Sequence, residues 1–212
     1  MSSETLRSGP VATAIRAHRL VVVLRRIEPT DVLLGLVAEL ADAGARVFEI
    51  TMDSPSAGDD VRAVRDRFGS DGILLGAGTV TGEAQLEAAR TAGADFAVSP
   101  VLDPALVRVA TDSGLPFVPG AFTPTEISSA WQCGATFVKL FPASGVGPAF
   151  VRELRGPMPE VELIPTGGVD AANANDFLAA GAAAVGIGGA LVRADPPARR
   201  ELVAHIAGAA PR

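Results

Sequence analysis

The sequence predicts an α/β fold, a single (β/α)8 TIM barrel over residues 1–212. Three observations predict it. Short apolar runs alternate with amphipathic stretches eight times along the chain, the rhythm of strands joined by crossover helices. The apolar runs show no clear polar–apolar alternation, as expected of parallel strands covered on both faces. No linker, charge block or low-complexity segment interrupts the pattern, so no domain boundary is drawn. A doubly wound open sheet is the alternative. Its glycine fingerprint after the first strand is missing, since that turn reads LRRIEPTD (24–31).

Taken in order, the expected strands are 20–24 (LVVVL), 46–50 (RVFEI), 73–76 (ILLG), 95–98 (DFAV), 116–118 (PFV), 135–140 (ATFVKL), 161–165 (VELIP) and 184–187 (AVGI). Helical patterns fill 31–43, 58–68, 82–92, 104–113, 124–133, 147–155, 171–180 and 195–208. Gly44, Gly93, Gly114, Gly134 and Gly181 each stand just before a strand, where a helix ends on a left-handed residue. TPTE (123–126) reads as a capping box with Thr123 at the cap, Pro124 at the first helical position and Glu126 closing it. Asp103 before Pro104 reads as a second cap. Residues 1–10 and the last few residues are expected to fray.

Composition narrows the function. Hydrophobic residues make up 48%, enough for a substantial core, and the net charge is −6. An acidic chain argues against nucleic acid or an anionic membrane as partner, because both need a basic face. The N-terminus has no signal-peptide pattern and no apolar run can span a bilayer, so the cytoplasm is the expected compartment. One cysteine, Cys133, excludes an internal disulfide, and with His18 and His205 at opposite ends no metal-ligand spacing exists. Neither a metal nor a cofactor is expected.

In such a barrel the chemistry gathers at the C-terminal ends of the strands. Those ends carry Arg25, Glu49, Gly78–Thr79, Ser99–Pro100, Pro119–Gly120, Lys139, Thr166–Gly167–Gly168 and Gly188–Gly189. Of 18 basic residues Lys139 is the sole lysine, and it stands inside the apolar run FVKLFPAS (137–144). A buried ammonium is costly, and desolvation favours the neutral amine, a nucleophile able to form a Schiff base with a carbonyl. The alternative is a lysine that snorkels to solvent in an arginine-rich chain. Glu49 is either a solvent-facing carboxylate or, beside a Schiff-base lysine, a mover of protons. IPTGGV (164–169) and GIGGA (186–190) follow the last two strands. There barrels commonly hold phosphate through backbone N–H groups; as isolated motifs both are ordinary turns. Arg25, next to the last strand, can add a charge-assisted contact. Thr79 offers a hydroxyl on a tight turn.

At these residues the chain resembles the class I aldolases of 2-keto-3-deoxy-6-phosphosugar acids, the KDPG/KHG aldolase family. The likeness covers about residues 12–200. It is carried in order by VVLR (22–25), FEITMDSP (48–55), GAGTV (76–80), FAVSP (96–100), PFVPGAFTPTE (116–126), FVKLFPAS (137–144), PTGGV (165–169) and GIGGA (186–190). The resemblance implies a trimeric barrel that cleaves a phosphorylated 2-keto-3-deoxy sugar acid to pyruvate and glyceraldehyde 3-phosphate. It implies Lys139 as the Schiff-base lysine, Glu49 as general acid/base, and Thr79 as a contact to the pyruvate carboxylate. Pro100 and Phe141 would line the pyruvyl pocket, and Arg25, Thr166, Gly167, Gly168, Gly188 and Gly189 would cradle phosphate.

Two positions depart from the pattern. Asp53, in TMDSP, stands where many members carry an arginine that pairs with the substrate carboxylate. The 6-phosphogalactonate branch, with LNSP there, is more similar. Ala190 stands where some members place a phosphate-touching serine. That keeps open a 4-hydroxy-2-oxoglutarate aldolase, or an aldolase for an unphosphorylated keto acid. A phosphate-binding barrel without turnover, or with isomerase or synthase chemistry, is the reading from another class.

Overall fold

A computed structural model of the chain describes residues 2–69 and 71–207. Two helices, α1 (Ser3–Ser8) and α2 (Pro10–His18), lead into β1 (Leu20–Leu24). Then follow α3 (Thr30–Asp42), β2 (Val47–Thr51), α4 (Ala57–Phe68), β3 (Leu74–Gly78), α5 (Glu83–Thr91), β4 (Phe96–Val98) and α6 (Pro104–Asp112). The second half runs β5 (Phe117–Val118), β6 (Gly120–Ala121), α7 (Pro124–Gln132), β7 (Val138–Leu140), α8 (Gly147–Leu154), β8 (Leu163–Pro165), α9 (Ala174–Ala179), β9 (Val185–Ile187), α10 (Gly189–Arg193) and α11 (Pro196–Ala207).

All pairings are parallel, and the strands form a curled half-barrel of two sheets, ordered β5-β4-β3-β2-β1-β9 and β6-β7-β8. The strand expected at 116–118 is longer than its apolar run and is divided at Pro119. Proline has no N–H to donate, so the ladder is interrupted there. Phe117–Val118 pair with β4, whereas Gly120–Ala121 pair with β7. The Pro119 carbonyl still accepts the Lys139 N–H at 2.9 Å. At the other flank a parallel bridge joins Thr166, beyond β8, to Gly186 in β9.

Each strand has one face toward the helices and one toward the concave side. Leu20, Val22 and Leu24 of β1 and Phe48 and Ile50 of β2 pack into the helix layer. Val21, Val47, Phe96, Val98, Val118, Phe137 and Ile164 form a separate cluster on the concave side. Two covered faces explain why the strands read as continuous apolar runs. Helix α2 completes the inner cluster with Ala12 and Ile15. It lies at the N-terminal ends of the strands, where Arg16 reaches across to Glu162 just before β8.

From residue 2 onward the N-terminal segment corrects the expectation that residues 1–10 fray; residue 1 lies outside the described residues. Leu6 is buried, and the Arg7 guanidinium donates to the carbonyls of Trp131 and Ala135 while stacking 3.6 Å from the Trp131 ring centroid. Long-range contacts of this kind leave no local sequence pattern. The short α10 was not expected either. The capping box at Thr123 and Glu126 and the Asp103 cap are present. The expected fraying of the last few residues, and residue 208 of the last expected helix, lie outside the described residues. No helix among the described residues is long and apolar enough to cross a membrane.

Ile15 is 1% exposed. Ile15→Ala is expected to cost about 2–5 kcal/mol of stability, read as a lower urea midpoint. Val109→Ala, on the surface, should stay within about 0.5 kcal/mol of wild type.

Candidate active site

Side chains two apart on a strand share a face. Glu49 follows Val47, Lys139 follows Phe137 and Thr166 follows Ile164 at that spacing. Each therefore stands one step above the inner apolar cluster, toward the C-terminal ends of the strands. Beneath them, among Val21, Phe96, Val98, Val118 and Ile164, the free space is about 10 Å³, room for about one water.

Lys139 is 4% exposed and Glu49 2%. The Lys139 Nζ lies 3.6 Å from Glu49 Oε1 and 5.4 Å from the centroid of the Phe141 ring. The gap is longer than a hydrogen bond, and Glu49 Oε1 is buried without a hydrogen-bond partner among the described residues. The amine does not snorkel to solvent, and the carboxylate is not a surface group. Two buried groups of opposite charge, one with an unsatisfied oxygen, form an arrangement that costs stability unless it serves another end. The neighbouring strand makes room for it. A Cβ on Gly78 would fall 2.1 Å from Glu49 Oε1, so only glycine there lets the carboxylate reach its seat.

Above the pair opens a cavity of about 530 Å³. Lys139 and Phe141 line it at β7, and Thr166, Gly167 and Gly168 line it beyond β8. Gly188 and Gly189 form its wall beyond β9, and Arg25 closes the side at β1. Gly167 and Gly168 have φ of +85° and +80°, a turn that favours glycine. Thr166 donates its hydroxyl to the Ile164 carbonyl at 3.2 Å. The strand ends thus bring together eight of the expected residues, with Glu49 at 3.6 Å from one of them. Pro100 lies outside this wall, its backbone against Gly120. Thr79, with φ +57°, is also outside but is tied to it: Arg25 Nη2 donates to Thr79 Oγ1 at 3.3 Å.

Arg25 is held from a second side. Its Nη1 donates to Asp53 Oδ2 at 2.6 Å, and Arg26 Nε approaches the same oxygen at 3.4 Å. Burial raises the Asp53 pKa, but the neighbouring Thr51 hydroxyl and the two guanidinium groups outweigh it and hold the carboxyl below its ordinary range. Asp170 and Arg193 also line the cavity and were not foreseen. Arg193 ends α10, an element too short to show a periodic pattern. Asp170 directly follows the PTGGV motif, which was the available signal.

Residues 11–205 match the sequence profile of the KDPG and KHG aldolases. The chain belongs to the KDPG and KHG aldolase family. A probable 2-dehydro-3-deoxy-6-phosphogalactonate aldolase of Rhizobium meliloti is 36% identical over 177 residues, 82% of each chain. A 2-dehydro-3-deoxy-phosphogluconate aldolase of Haemophilus influenzae is 36% identical over 166 residues, 78% of this chain and 77% of that one. Among solved structures, the KDPG aldolase of Legionella pneumophila, with pyruvate captured as a covalent carbinolamine intermediate, superposes with a TM-score of 0.80. It is 26% identical and the match covers 98% of this chain and 97% of that one. The KDPG and KHG aldolase likeness thus spans nearly the whole chain, strands and glycine turns included.

Two outcomes are expected. Gly78→Ala displaces the Glu49 carboxylate and lowers aldolase turnover at least tenfold, with the far-UV circular dichroism unchanged; full turnover rejects the close-approach argument. For Asp53 the sign follows from a lowered pKa: its stabilisation is complete above the ordinary carboxylate pKa and is lost as pH falls through the folded value. The stability difference between wild type and Asp53→Asn should therefore be constant from neutral pH to about 5 and shrink below about 4, as followed by urea midpoints.

Proposed function

We propose that this protein is a class I aldolase that cleaves 2-keto-3-deoxy-6-phosphogluconate or its galactonate epimer to pyruvate and glyceraldehyde 3-phosphate. The observation that carries the reading is the buried Lys139–Glu49 pair, 3.6 Å apart, beneath a cavity lined by glycine turns. Transfer of one proton from Lys139 to Glu49 leaves a neutral amine on the wall of the cavity. The amine attacks the C2 carbonyl to form a carbinolamine, and loss of water gives an iminium. Glu49, again a carboxylate after returning its proton to the departing hydroxyl, takes the proton of the C4 hydroxyl. The C3–C4 electron pair then moves into the iminium, releasing the aldehyde and leaving an enamine. Protonation at C3 and hydrolysis return pyruvate and the free lysine. The covalent cation is the electron sink, so these steps call for no metal or cofactor.

Phe141, Thr79 and Pro100 are assigned to the pyruvyl end in this reading. Thr166, Gly167, Gly168, Gly188 and Gly189 offer the phosphate cradle. The divided strand at Pro119 and the bridge from Thr166 to Gly186 support closure of the two sheets into one (β/α)8 barrel domain. The homotrimer and the cytoplasmic location rest on the family likeness and composition. Asp53, in place of a carboxylate-binding arginine, favours the galactonate epimer. Ala190 favours a second reading, a 4-hydroxy-2-oxoglutarate or unphosphorylated keto acid as substrate, because it has no hydroxyl to offer a phosphate.

Borohydride with pyruvate should trap an adduct on Lys139, seen by peptide mass spectrometry. Lys139→Arg should lose both the adduct and turnover while keeping the wild-type circular dichroism. An active enzyme with no trappable adduct, inhibited by EDTA, removes the mechanism. The ratio of rates on the two epimers, and on phosphorylated and unphosphorylated keto acids, separates the substrate readings.

A further inference from the structure

The cavity wall carries three cationic side chains, Lys139, Arg25 and Arg193. Two of them are already committed. Lys139 faces Glu49. Arg25 gives one terminal nitrogen to Asp53 and the other to Thr79, which turns it toward the ends of β1 to β3. Asp53 takes a second cation, Arg26, onto the same oxygen, so one carboxylate holds both guanidinium groups at this end of the cavity.

Arg193 differs. Among the described residues no carboxylate pairs with it. Asp170, on the same wall, instead accepts the Ala172 N–H at 2.9 Å. Arg193 lies four residues after Gly189 on α10, hence on the same helix face one turn away. Long side chains on a helix lean back toward its N-terminus, and this one does so: a Cβ on Gly189 would stand 2.7 Å from its Nη1. The guanidinium therefore sits against Gly189, on the cavity wall that Gly167 and Gly168 also line.

We propose that Arg193, not Arg25, supplies the side-chain charge that binds the phosphate of the substrate, replacing the hydroxyl that Ala190 lacks. The proposal rests on the aldolase reading for its substrate. Its chemistry is that of a guanidinium fork, which presents paired N–H donors to phosphate oxygens. Arg25, held by Asp53 and Thr79, is left to serve the carboxylate end. The cavity so divides its cations between the two anionic ends of one substrate, with the reactive lysine between them.

Binding of inorganic phosphate to the full-length protein, by calorimetry, tests this without turnover. Arg193→Gln should weaken binding roughly 10- to 100-fold, Arg193→Lys should recover part of the loss, and Arg25→Gln should weaken it less than Arg193→Gln. In turnover, Arg193→Gln should raise KM for the phosphorylated keto acid by a similar factor and leave kcat/KM for the unphosphorylated one within about twofold. The contact is remote from the reacting carbon and acts through binding. The borohydride adduct with pyruvate should form in Arg193→Gln as in wild type. A phosphate affinity unchanged in Arg193→Gln, or one lost chiefly in Arg25→Gln, overturns the assignment. Equal losses on both substrates overturn it as well. Absence of the adduct from wild type counts against the aldolase reading alone, and the phosphate measurement still decides the role of Arg193.

Discussion

A lysine and a glutamate buried together, without a full hydrogen bond between them, set the terms for everything around them. Moving two charged groups from water into a protein interior is unfavourable, and their attraction only partly offsets it. The fold tolerates the pair because its surroundings are arranged for it. An apolar layer lies below, Gly78 leaves space beside Glu49, and the aromatic ring of Phe141 stands near the amine. The same arrangement makes the amine useful, because the partner that balances its charge can also accept its proton.

The strands achieve this with a two-layer alternation. On the concave side the lower positions are valine, phenylalanine and isoleucine, and the next positions up are glutamate, lysine and threonine. The buried polar side chains thus begin one residue pair above the core, and α2 covers the opposite end with Ala12 and Ile15. Arg25 and Thr79 illustrate the upper zone: Thr79 holds a left-handed backbone, and so does Arg26, next to Arg25. Such conformations are costly for residues other than glycine and tend to collect at functional sites.

Much of this was legible in the sequence, for physical reasons. Strands covered on both faces produce unbroken apolar runs, and the capping box at Thr123 is a local signal. Lys139 was conspicuous because a charge inside FVKLF costs desolvation energy that only a useful amine offsets. What the sequence concealed was non-local. The order of α1 depends on Arg7 meeting Trp131, far away in the chain. The break at Pro119 became interpretable only once the neighbours on each side were known. Arg193 was hidden by an element of five residues, and the tie of Arg25 to Asp53 had no sequence signature.

The division at Pro119 also bears on the two reacting side chains. Glu49 belongs to the six-stranded sheet and Lys139 to the three-stranded one, and the Lys139 amide is fastened to the carbonyl of that proline. The distance from nitrogen to carboxylate therefore depends on how the two sheets are offset, as well as on either rotamer. A slip of that seam would lengthen or shorten the gap between the two side chains by a comparable amount.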